Sequence, residues 1–215
     1  DKKLIKIAEA DHKTSLDLPQ TDSSWIIKLA VKAYADQPTD NDTARVGSVL
    51  VGNVEVPRTY NDQGSNKNAE KVKKPAGIQN NQFAIYYAET WQQLYIVSSR
   101  GVKKLGQLID PMGNEGFSPN SRVPFQVTLQ WIANGDGTGS LYYLGASRVD
   151  WEYTEVIPGE NDYNNANITE TDASRFSQEK YTILENVELP DEFFTTARTY
   201  GNSNRSEFKI TSISK

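Results

Sequence analysis

The feature that most constrains this chain is apolar alternation at every second residue. Trp25, Ile27, Leu29, Val31 and Ala33 interleave with Ile26, Lys28, Ala30, Lys32 and Tyr34. Val123, Phe125, Val127, Leu129, Trp131 and Ala133 interleave with Pro124, Gln126, Thr128, Gln130 and Ile132. Successive side chains of a strand point to opposite faces, so each run lays one apolar row on a core.

Shorter runs read as further strands: Leu4–Glu9, Val46–Val51, Val54–Val56, Phe83–Trp91, Leu94–Ser98, Ser140–Leu144, Val149–Val156, Tyr181–Val187 and Glu207–Ile213. Helical spacing is scarce. Val102, Leu105 and Ile109 suggest one short helix. Pro190-Asp-Glu-Phe-Phe194 suggests another, with its proline and acids suited to a first turn. Tyr34–Arg45, Asn61–Gln82 and Pro158–Gln178 read as long polar loops. The fold expected is all-β: a single domain over 1–215, an antiparallel β-sandwich or jelly roll with long polar loops and at most two short helices. The stretch Tyr181-Thr-Ile-Leu-Glu-Asn-Val-Glu-Leu189 resembles strands of small viral jelly-roll coats, a resemblance confined to those residues.

Composition then narrows the chemistry. The chain has no Cys and a single His, His12. That removes disulfides, thiolate zinc sites, cysteine nucleophiles and multi-histidine metal sites. No Gly-x-Ser-x-Gly elbow supplies a serine for His12, which reads as a solvated or edge side chain. No apolar run approaches the roughly 18 residues of a membrane-spanning helix. A net charge of -5 argues against a chain-wide nucleic-acid footprint. No cofactor, metal ligand or catalytic residue is expected.

Asn134-Gly-Asp-Gly-Thr-Gly139 reads as a hairpin turn, because it lacks the spaced acids of a calcium loop and the Gly-Lys-Ser/Thr of a phosphate loop. Asp150 and Glu152 share one strand face about 7 Å apart. Glycosidase carboxylates tolerate that spacing, and so does any wet strand face. Aromatic residues cluster at Tyr86, Tyr87, Trp91 and Tyr95, and again at Tyr142, Tyr143, Trp151 and Tyr153. Tyr86 and Tyr142 are expected to point away from Tyr87 and Tyr143, either packed with their hydroxyls at the rim or offering exposed rings to a sugar or a partner. The candidate ligand-binding set is therefore Tyr86, Trp91, Tyr142 and Asn134. Lys67, Lys71, Lys73 and Lys74 form a basic segment that reads as solvated. Asn41, Asn167 and Asn204 head glycosylation triplets.

The functional expectation is a non-catalytic structural or assembly subunit of a virion, phage particle or cell-surface filament, working through protein surfaces. Leu4, Ile5 and Ile7, within residues 1–13, are the candidate assembly strand, either exchanged with a neighbouring copy or kept as an edge strand. The alternative is a carbohydrate- or receptor-binding adhesin module. A third reading is a glycan-cleaving enzyme using Asp150 and Glu152. The expected setting is extracellular, cell surface or virion. The expected partners are other copies, a surface partner or glycans.

Overall fold

The computed structural model describes residues 3–7, 12–19, 21–32, 48–56, 72–88, 93–107, 124–171, 176–197 and 206–215. Among these residues there are strands and no helix. In chain order they are β1 (Ile5–Ile7), β2 (His12–Leu16), β3 (Trp25–Lys32), β4 (Ser48–Gly52), β5 (Phe83–Ala88), β6 (Gln93–Ser98) and β7 (Gly101–Gln107). Then follow β8 (Phe125–Ala133), β9 (Gly139–Val156), β10 (Tyr163–Glu170), β11 (Tyr181–Val187), β12 (Phe193–Ala197) and β13 (Ser206–Ser214). The protein is an all-β sandwich of two antiparallel sheets. The first runs β1-β13-β3-β8-β9-β10, with β11 also on β9; the second runs β2-β12-β4-β5-β6-β7. The ends of the chain are nested: β13 lies between β1 and β3, and β12 between β2 and β4.

Among the described residues the two long alternations bury the expected row, apart from the half-buried Ala133; Ala33 and Val123 lie outside the described residues. Trp25, Ile27, Leu29 and Val31 meet Trp131, Leu129, Val127 and Phe125 in direct register across β3 and β8. Each is at most 2% exposed. From the second sheet, Leu50, Phe83, Ile85, Tyr87, Leu94, Ile96 and Phe193 close this core. At about 25 cal/mol per Å² of apolar surface, this shared core is the dominant stabilising term. A second cluster lies on the other face of the second sheet: Val49, Ala84, Tyr86, Tyr95, Val97 and Phe194, with Val72 packed against them. The second sheet is therefore apolar on both faces.

The apolar residues described in both expected helices lie on strands, and Ile109 lies outside the described residues. Val102 and Leu105 lie on β7, where three-residue spacing puts them on opposite faces: Val102 is 38% exposed and Leu105 only 2%. Phe193 and Phe194 begin β12 and enter different clusters, Phe193 the core and Phe194 the outer one. A one-sided helix cannot serve two cores; a strand does so with adjacent residues. Val54–Val56 is not a strand, although Val54 and Val56 pack against the outer cluster. Ser140–Leu144 and Val149–Val156 form one continuous strand, β9, with a bulge where Thr128 faces Gly145 and Leu129 faces Tyr143. Gly145 has φ 139°, which a glycine supplies cheaply. The stretch Pro158–Gln178 is no continuous loop, since it contains β10.

Candidate functional site

The site is built from the polar rows left over by the alternation. On the outer face of the first sheet, the strand register places residues side by side. The first row is Thr182, Tyr142, Gln130, Ile26 and Ser214, crossing β11, β9, β8, β3 and β13. Its members are half-buried, and Ser214 is exposed. Four gaps of about 4.8 Å make the row about 19 Å long. Lys180 sits over the Tyr142 ring, its Nζ 4.1 Å from the centroid. The second row is Thr128, Lys28 and Ser212. The third is Ser147, Gln126, Ala30 and Lys209, and all four are at most 8% exposed. The fourth is Lys32, Glu207 and Lys6.

Rows three and four are covered by the chain itself. Beyond Arg148, the partner of β8's first residue, β9 continues paired with β10 as an arm. The arm lies across the sheet. Lys6 Nζ reaches Asp162 Oδ2 at 3.0 Å, and Lys28 Nζ reaches Glu170 Oε2 at 3.2 Å. Gln126 Nε2 donates to the same Glu170 oxygen at 2.7 Å. Lys209 Nζ donates to Asn165 Oδ1 at 2.8 Å and to the Ala166 carbonyl at 2.7 Å. Lys32 Nζ donates to Tyr153 Oη at 3.1 Å, and Tyr153 Oη donates to Glu207 Oε2. The Tyr153 ring stacks on Tyr163 with centroids 4.9 Å apart. Glu207 and Lys209, at most 8% exposed, are tolerated there because they are hydrogen-bonded. Burial still holds the Lys209 ammonium below the ordinary lysine value, partly offset by the Glu155 carboxylate.

Of the candidate set, Tyr142 and Asn134 are on the surface, at the end of the sheet where β8 turns into β9. Asn134 is in the expected turn. Its amide N–H donates to the Thr138 carbonyl at 2.8 Å, and its Nδ2 donates to Thr138 Oγ1 at 2.9 Å and to Asn186 Oδ1 at 3.2 Å. The Thr138 hydroxyl, at 2.6 Å, holds the Asp136 carboxyl below its usual range. Tyr86 corrects the expectation: it does face away from Tyr87, but that face carries the outer cluster, and the ring is 2% exposed. Trp91, with Asn41, Asn204, Lys67 and Lys71, lies outside the described residues. Asn167 is exposed on β10. Ile5 and Ile7 pair with Phe208 and Ser206 of their own chain, Ile7 reaching the core and Leu4 preceding the strand. His12 opens β2 opposite Ala197.

Asp150 and Glu152 face Thr169 and Asn167 on the arm, and both are exposed. Among the described residues no group of three or more His, Asp or Glu is placed to hold a metal ion. Gln130, Ile26 and Lys28, which share this face, were not among the candidates, although they occupy the non-core positions of the two long alternations; Thr182, on β11, carried no such signal.

No family model matches this chain, and no curated protein matches it. A similar solved structure is the crystal structure of the marine PL-14 alginate lyase from Aplysia kurodai, at TM-score 0.32 and 14% identity, covering 92% of this chain and 72% of that one.

Proposed function

We propose that this chain is a carbohydrate-binding β-sandwich and that it holds an extended glycan along the Thr182–Tyr142–Gln130–Ile26–Ser214 row. The observation that carries the reading is the row itself. It combines an aromatic ring, an amide, an aliphatic side chain and two hydroxyl groups in one register across five strands. A sugar offers apolar C–H faces and a rim of hydroxyls. Ile26 and the Tyr142 ring, once the exposed Lys180 side chain swings off it, suit the faces, while Gln130, Thr182 and Ser214 both donate and accept with the hydroxyls. A rigid sheet holds these groups without the ordering cost that a loop would incur. The setting that accompanies this proposal is extracellular or at a cell surface.

The test is an array of immobilised glycans probed with the full chain, followed by calorimetric titration of the best binder. Tyr142→Ala and Gln130→Ala are each expected to weaken binding by about tenfold or more. Lys13→Ala, on the second sheet, is expected to leave it unchanged. Absence of binding at millimolar glycan, or equal affinity in all three variants, would overturn the reading.

A further inference from the structure

We propose that the β9–β10 arm is a strap whose opening uncovers the third and fourth rows and so lengthens the binding face. The inference deepens the glycan reading, on which its ligand side rests. Past Arg148 the backbone ladder of β9 among the described residues is with β10, and the Val149 amide also donates to the Pro124 carbonyl at 3.2 Å. Its contacts with the sheet named above are polar at every row: Glu170 on Lys28 and Gln126, Asn165 and Ala166 on Lys209, Tyr153 on Lys32 and Glu207, Asp162 on Lys6. Each of these bonds can be replaced by one to water once the arm lifts, a compensation that an interdigitated apolar core lacks.

The rows beneath the arm have the wrong chemistry for a purely structural interface. Gln126, Ser147, Glu207 and Lys209 are at most 8% exposed. They continue, in register, the amide, hydroxyl and lysine chemistry of the open rows. Consecutive rows on one face are about 7 Å apart along the strands. Displacing the arm therefore extends the accessible face by two rows, about 14 Å, toward β1. Lys209 is the reporter, because its amine is bonded to the arm alone in the contacts above and becomes reactive only when the arm leaves.

The experiment is timed acylation of lysines in the full chain with an acetyl N-hydroxysuccinimide ester, read by peptide mass spectrometry beside backbone amide exchange of β3 and β8. In the Asp162→Asn/Glu170→Gln double variant, Lys209 labelling is expected to rise at least tenfold over the parent while exchange of β3 and β8 stays constant. Unchanged Lys209 labelling, or labelling that rises only together with β3 and β8 exchange, would overturn the strap. In a second arm, Lys6→Cys and Asp162→Cys are bridged by a bismaleimide in this otherwise cysteine-free chain. Bridging is expected to weaken long oligosaccharides while sparing short ones. Equal binding of both lengths removes the gating role and leaves the glycan reading standing. No binding of either length by the unbridged parent removes the glycan reading, and Lys209 labelling then decides the strap alone.

Discussion

Lys209 shows how a single buried charge records its surroundings. Its ammonium is bonded to two neutral oxygens, and desolvation lowers its pKa below 10.5. The unfolded chain keeps this proton up to about that value, while the folded chain releases it earlier. Between the two values the unfolded state binds more protons, so this group's contribution to stability rises with pH. Its penalty is complete below the lowered value and gone above 10.5. Tyr95 and Tyr143 act in the opposite direction. Burial raises both above 10.0, so they contribute stability that is lost as pH climbs past the ordinary tyrosine range. Comparing the parent with Lys209→Met cancels the tyrosines. The stability difference from urea unfolding is expected to move in the parent's favour between neutral pH and about pH 11. A constant difference would show that Lys209 keeps its ordinary pKa.

At the scale of elements, legibility followed the number of buried faces. β3 and β8 were plain in the sequence because one face is apolar and the other polar. β12 was not, because Phe193 and Phe194 are both buried, and adjacent apolar residues erase the period. Replacing either with alanine is expected to cost about 3–5 kcal/mol in chemical denaturation. A helix would bury one strongly and leave the other tolerant. β10 was hidden for the converse reason. Tyr-Asn-Asn-Ala-Asn-Ile-Thr-Glu is a mostly polar strand with too few apolar residues to show a period, and its apolar partners Val149, Trp151 and Tyr153 are supplied by β9. The turn at Asn134 was legible from its glycines. The close approach at Gly139 was not: a Cβ there would lie 2.4 Å from the Trp131 ring, a contact that only the folded register creates. The candidate site was half visible. Tyr142 could be named from its neighbour Tyr143, but of its row partners only Gln130 is close in sequence; Thr182, Ile26 and Ser214 come from distant strands whose register is set by the fold.

For the whole molecule, the nested ends matter most. β1 adds three residues to the edge of β13, and Ile7 is 1% exposed in the core. Removing residues 1–7 is therefore expected to lower unfolding stability by about 2–5 kcal/mol, the cost of stripping one large aliphatic side chain from a core. Urea unfolding of the shortened chain checks this, and an unchanged midpoint would mean that β1 is dispensable. The two faces of the molecule also differ in kind. The second sheet is apolar on both sides, whereas the first offers water a polar face that its own arm half covers.

The position of β13 also governs the order in which the chain becomes a protein. Val31 pairs with Phe208, and the strand that carries Phe208 is made long after β3. While the chain emerges from the ribosome, β3 and β4 lack the partners that β13 and β12 give those edges among the described residues until these arrive. Contacts this distant in sequence slow folding, and an unpaired apolar strand is a template for association with another chain. Synthesis that stalls before residue 193 would leave the polypeptide at its stickiest, with most of its core residues made and neither sheet closed.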